Sequence, residues 1–147
     1  MDLTGSSLVV IADGRQARVF EERRRGGPLF DVTAQLGDLS LHQHQASSSR
    51  GGVHDRIGPA SHTGDGPTPK DRRETDFAGL VGARTVQIMR QGGYDGLVLM
   101  AAPRTLGQLR QVMAHAGVTV THAEPHDRTS ESPASLRTRL RELRLHA

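Results

Sequence analysis

The stretch LVVIADGRQARVFE, residues 8–21, decides the fold. Leu8-Val9-Val10-Ile11-Ala12 is an unbroken apolar run of strand length, as expected of a strand covered on both faces. Asp13-Gly14 follows it directly, a strong short-range hairpin signal. Gln16 to Glu21 then alternates, with Ala17 and Val19 between polar positions. The chain therefore opens with a central strand that turns back into an antiparallel partner.

Working outward, Glu21 to Pro28 is a charged turn. Leu29 to Leu36 is expected to form a third strand, with Phe30, Val32, Ala34 and Leu36 on one side and Leu29, Asp31, Thr33 and Gln35 on the other. Much further on, Asp71 to Gln91 reads as a helix, with Pro69 just before it and Asp71 and Glu74 near the positive end of its dipole. Phe77, Leu80, Val81 and Ile88 recur at helical spacing, with Ala78 and Ala83 packing nearby. Gly92-Gly93 ends it. Leu97 to Ala102 is a second buried strand, stopped by Pro103. Thr105 is expected to cap a helix with Leu106, Leu109, Val112 and Met113 inward, ended by Gly117. Val118 to Thr121 reads as a further core strand. A last helix runs from Pro133 to about His146, with Leu136, Leu140 and Leu143 on the face that packs.

This order predicts one α/β domain over residues 1–147. Its mixed sheet joins a three-stranded antiparallel meander to two parallel strands, with helices on the faces. The arrangement resembles the ribonuclease-H-like fold.

Between meander and first helix lies a segment of another kind, residues 37–70: GDLSLHQHQASSSRGGVHDRIGPASHTGDGPTPK. It has no aromatic residue, dense Gly, Ser and Pro, and His42, His44, His54 and His62. Such a segment buries too little apolar surface to offset its ordering entropy. Structureless loops beyond about 12–15 residues are uncommon in small domains and often functional.

Composition removes several classes. Cysteine is absent, which excludes disulfides and thiolate metal sites. No apolar run approaches the roughly 20 residues of a membrane-spanning helix, and the start MDLTGSSLVVIADGR reads as a strand rather than a signal peptide. A cytoplasmic location is the expectation. The 19 basic residues are all arginine except Lys70, at a net charge of +3. Arginine matches phosphate geometry bidentately and stacks on flat rings, so a nucleic-acid partner is allowed.

LVVIADGRQARVFE, DFAGLVGARTV, YDGLVLMAAPRTLGQLRQVM and EPHDRTSESPASLRTRL, in this order, resemble the host-attachment protein family over nearly the whole chain. Where that family carries a Lys-Asp-Leu-Thr-like stretch, this chain has His126-Asp127-Arg128-Thr129. The family is in turn similar to the middle domain of archaeal and eukaryotic peptide-chain release factors and of Pelota. There, the loop between meander and long helix carries a Gly-Gly-Gln tip that enters the peptidyl-transferase centre. Here the loop has Arg50-Gly51-Gly52-Val53, without the glutamine. The resemblance therefore implies a ribosome or structured RNA as partner, but not peptidyl-tRNA hydrolysis.

Four chemistries follow. The first is RNA or ribosome binding by Arg50, Gly51, Gly52, Val53, Arg56, Lys70, Arg72 and Arg73, through phosphate contacts and stacking. The second is a divalent metal such as zinc on His42, His44, His54 and His62, serving a metal-assisted hydrolase or nuclease. Their spacing matches no tight metal motif. The third is a carboxylate set for a two-metal nuclease, with Asp13, Asp95 and Glu124 at strand ends. Asp13 is accounted for by its turn and Asp95 by the loop before its strand. The fourth is a protein–protein adaptor in surface or stress regulation. No glycine fingerprint for a nucleotide cofactor follows either core strand, and no nucleophile elbow is present. The reading that leads is a non-enzymatic binding protein with no cofactor and no catalytic residue, which affects host attachment indirectly. The sequence leaves homodimer formation open.

Overall fold

The computed structural model describes residues 5–40 and 66–146. Five strands form one sheet: β1 Ser7–Ala12, β2 Ala17–Glu22, β3 Leu29–Asp31, β4 Gly96–Ala101 and β5 His122–Glu124, in the order β3-β2-β1-β4-β5. The meander β1-β2-β3 is antiparallel, and β4 and β5 run parallel to β1. This is the mixed α/β sheet expected from the hairpin signal and the two apolar runs. Three helices complete the fold: α1 Pro69–Gly92, α2 Pro103–Ala116 and α3 Pro133–Leu145.

Leu8 to Ala12 are fully buried because β1 sits mid-sheet with helices on both faces. Side chains alternate across a strand. Leu8, Val10 and Ala12 join Leu97, Leu99 and Ala101 in a core with Phe77, Val81, Leu109 and Met113 of α1 and α2. Val9, Ile11, Val98 and Met100 face the other way, where Phe20 and the Leu136 and Leu140 side chains of α3 close a second core. The leucine stripe of α3 thus packs on the sheet.

One polar residue is fully buried at the α3 face. Glu22 ends β2 with no solvent exposure. Arg144 donates to both of its carboxylate oxygens (2.7 and 2.8 Å), Arg137 to one at 2.5 Å, and the Gly26 amide to the same oxygen at 3.1 Å. Burial pushes the Glu22 carboxyl up, but these donors outweigh burial and hold its pKa at about 2 against an ordinary 4.5.

Several local expectations need correction. The third strand stops at Asp31, and Thr33–Leu36 is a short 3₁₀ helix. Asp31 accepts the Thr33 amide at 2.8 Å, while the Thr33 hydroxyl accepts the Val19 amide at 3.0 Å. These two bonds turn the chain out of the ladder. The last strand is His122–Glu124 rather than Val118–Thr121. Val118 and Val120 still pack against the first core, as part of the connection. Thr105 is not a cap: α2 begins at Pro103 after Ala102, with no side-chain cap, and Thr105 is buried in the first turn. Ala83 faces outward on α1. Gly93 and Gly117 do end α1 and α2, each in the left-handed conformation (φ 68° and 72°).

Candidate functional site

Parallel strands finish on one side of a sheet, and in open α/β sheets ligands bind beyond those carboxyl ends. Here that edge collects the β1–β2 turn after Ala12, the starts of α1 and α2, and the turn before α3. Asp13 organises the hairpin: its Oδ1 accepts the amides of Arg15 and Gln16, each at 2.8 Å. The Thr129 hydroxyl donates to Asp127 at 2.6 Å, with Asp13 Oδ2 at 3.3 Å as a second acceptor. Arg18 donates to the carbonyls of Thr129 (3.1 Å) and Glu131 (2.6 Å) and lies 4.9 Å from the centre of the Phe20 ring. Two distant stretches, Asp13–Phe20 and Asp127–Glu131, are thereby latched together. Arg128 ion-pairs with Glu124 and Glu131, both at 2.9 Å.

On the other side of the hairpin stands the start of α1. Thr68 caps it in a reciprocal box with Asp71, whose amide bonds the Thr68 hydroxyl at 3.0 Å while its carboxylate takes the Thr68 amide at 3.1 Å. That amide first, then the Thr68 hydroxyl and Arg104, hold the Asp71 carboxyl below its ordinary range. Arg104 reaches Asp71 at 2.8 Å and Gln108 reaches Thr75 at 2.8 Å, so α1 and α2 start side by side. Gly14 lies hard against α1, where a Cβ would sit 2.6 Å from Cδ of Glu74.

This close approach leaves a cleft of about 370 Å³ lined by Gly14, Arg15, Lys70, Arg73 and Glu74. Arg15, Lys70 and Arg73 are exposed, and none of them makes an ion pair among the described residues. Three cations around one carboxylate give a positively charged recess that can take an oxyanion without first breaking a protein ion pair.

Of the residues expected to bind RNA, Lys70 and Arg73 come together here, and Arg72 is exposed beside them but does not line the cleft. Arg50, Gly51, Gly52, Val53 and Arg56, like the histidine set His42, His44, His54 and His62, lie outside the described residues. Sequence reading missed Arg15. Its signal was its place directly after Asp13-Gly14, at the tip of a hairpin next to a strand end. The carboxylates Asp13, Asp95 and Glu124 do not assemble: among the described residues no group of three or more His, Asp or Glu side chains could hold a metal ion. Asp95 works at the opposite end of the sheet, where it accepts the amides of Gly5 and Ser6 (the latter at 3.1 Å) and pins the entry to β1. Its neighbour Tyr94 donates a hydrogen bond to Glu21. That bond, ahead of those from Arg23, holds the Glu21 carboxyl below its ordinary range.

The sheet, its helical cover and the latched polar edge define an α/β protein with a small cationic cleft at the carboxyl ends of its parallel strands. Over residues 8–140 the chain matches the family described as "Protein required for attachment to host cells", and it belongs to that family. The matched span includes the latch, the cleft and both cores. No curated protein matches the chain. Among the described residues no helix is long and apolar enough to cross a membrane.

Proposed function

We propose that the chain is a non-enzymatic binding protein of the cytoplasm that engages the ribosome or another structured RNA, and affects host attachment indirectly. One observation carries the reading: Arg15, Lys70 and Arg73 meet around one cleft with no ion pair among the described residues. Cations held in an exposed recess by a rigid hairpin and a capped helix suit phosphate oxygens. Arg72 extends the positive surface along α1. Arg50, Gly51, Gly52, Val53 and Arg56, in the segment that leads into α1, supply further contacts in this proposal. The resemblance to the release-factor middle domain points to the same partner, and the missing glutamine after Gly51-Gly52 separates binding from hydrolysis.

Co-sedimentation with ribosomes at low and high salt tests this. Four phosphate contacts, one each from Arg15, Lys70, Arg72 and Arg73, predict roughly a 50- to 150-fold loss of affinity between about 50 and 200 mM salt. Arg15→Ala with Lys70→Ala and Arg73→Ala is expected to weaken binding at every salt concentration and to flatten its salt dependence. Absence of ribosome or RNA binding at low salt would overturn the proposal.

A further inference from the structure

The turn between β2 and β3 stands at the opposite end of β2 from the cationic cleft. It opens with three consecutive arginines, Arg23-Arg24-Arg25, all exposed. The fold clamps this turn. The Gly26 amide donates to the buried Glu22 carboxylate at 3.1 Å, the Gly27 amide to the Arg24 carbonyl at 2.9 Å, and Arg137 of α3 to the Gly27 carbonyl at 2.7 Å. Gly26 takes the left-handed conformation (φ 82°) that this bend requires. The three cations are therefore carried on a fixed loop.

They differ in what holds them. Arg23 donates to Glu21 at 2.7 Å and lies over the exposed Phe30 ring, 4.0 Å from its centre. Although held from two sides, the Arg23 side chain stays 53% exposed. Arg24 and Arg25 make no ion pair among the described residues. The carboxylates around the turn are occupied or turned away. Glu22 is tied to Arg137 and Arg144, and Glu21 to Tyr94 and Arg23. Asp31 accepts the Thr33 amide and, next to Phe30 in the strand, takes the other face of β3.

We infer that this turn is a second nucleic-acid contact: an unpaired RNA base stacks on the outer face of the Arg23–Phe30 pair, and Arg24 and Arg25 take the flanking phosphates. The inference rests on the RNA reading above and extends it to a second place on the molecule. A guanidinium plane held on a ring is a stacking platform for a base, whatever its identity. An acidic peptide would use the charges and leave the plane idle. An anionic lipid surface likewise meets only charge, because Arg23 covers Phe30.

Register puts this platform on the same side of the sheet as α1. Phe30 pairs with Glu21 and Glu21 with Leu8, whose side chain packs in the core under α1 and α2. The six residues of β2 separate turn and cleft by about 20 Å, roughly six phosphates of a stacked strand.

The test is fluorescence anisotropy of the full chain with a labelled 16-nucleotide single-stranded RNA, roughly the upper site size of such contacts, and with the same ribose-phosphate backbone lacking bases. Wild type is expected to bind the RNA at least about fivefold more tightly than the baseless oligomer. Arg23→Lys keeps the charge and loses the plane, so it should erase this difference and leave the salt slope unchanged. Arg24→Gln with Arg25→Gln should lower the salt slope by roughly 1.4 on both oligomers. All three positions are exposed, so thermal unfolding should match wild type. If wild type binds neither oligomer, the RNA reading and this inference fall together. If wild type binds the RNA, the Arg15, Lys70 and Arg73 variant binds it more weakly, and both turn variants bind it as wild type does, this inference alone is overturned. It is overturned equally if polyglutamate or phosphatidylserine vesicles bind wild type as tightly as the RNA does and lose that binding in the turn variants.

Discussion

Arginine does opposite work in two regions of this molecule. On the α3 face, Arg137 and Arg144 are folded onto the fully buried Glu22, and Arg128 and Arg139 onto Glu131. At the cleft, Arg15 and Arg73 stand exposed with Lys70 beside them, and none of the three has an ion pair among the described residues. The same side chain is a structural tie in one place and an open donor in the other. What separates them is a buried carboxylate. Glu22 is out of water, so its donors must stay; Glu74 is partly exposed and competes with solvent for the cations around it.

The largest effect should come from the tied region. Glu22→Gln keeps the shape but leaves two guanidinium groups beside a neutral amide, and breaking a buried pair this way costs about 3–5 kcal/mol. Urea unfolding of wild type and variant at neutral pH measures it. A loss below about 1 kcal/mol would mean that water, rather than Glu22, satisfies Arg137 and Arg144.

Acid should weaken the same tie. The Glu22 carboxyl is held at about 2 when folded against 4.5 when free. The unfolded chain therefore binds the extra proton between these values, and stability rises with pH through that window. The contribution is present in full above about pH 4.5 and fades as pH falls toward 2; the shift corresponds to about 3 kcal/mol. Glu21, Asp31 and Glu131 are lowered as well and steepen the same limb. Urea midpoints between pH 2 and 6 should fall less steeply in Glu22→Gln than in wild type.

A smaller effect is expected where the helices touch. Gly82→Ala gains helix propensity worth about 0.5–1 kcal/mol, yet its methyl would meet both Val112 Cγ1 and Val112 Cβ within 3.0 Å. Cβ cannot swing aside as a side-chain tip can, so the backbones must part, at about 1–3 kcal/mol. The expected balance is a net loss of about 1 kcal/mol in thermal unfolding. A stabilised Gly82→Ala protein would show that α2 yields freely.

How much of this was legible beforehand follows the range of the forces. Leu8–Ala12 and Leu97–Ala101 read correctly because burial on both faces leaves an unbroken apolar run, and Gly93 and Gly117 because a left-handed helix end calls for glycine. The third strand was misread past Asp31 because its alternation continues while two side-chain bonds at Thr33 end the ladder, and a hydropathy pattern does not register them. The two valines of residues 118–121 have strand composition, but the pairing falls on His122–Glu124. At the site, Lys70 and Arg73 were visible as charges beside a helix start. Arg15 was not, because it joins them only through the packing of Gly14 on Glu74, a contact between residues sixty positions apart in the chain. The Glu22 tie was hidden for the same reason: nothing near Glu22 in sequence marks it as the partner of Arg137 and Arg144.

The smallest effect on stability should come from the cleft, and there it sharpens the contrast most. Arg15→Ala, Lys70→Ala and Arg73→Ala remove exposed side chains with no ion pair among the described residues, so each should shift unfolding by no more than about 0.5 kcal/mol. Binding should respond in the opposite sense. Each lost phosphate contact lowers the salt slope of RNA or ribosome association by roughly 0.7–0.9, so the triple variant should fold like wild type and bind weakly at every salt concentration. Salt-dependent co-sedimentation and thermal unfolding, run on the same preparations, read both quantities. If the triple variant unfolded several kcal/mol earlier than wild type, the cleft arginines would be ties like Arg137 and Arg144, and the division between the two regions would fail.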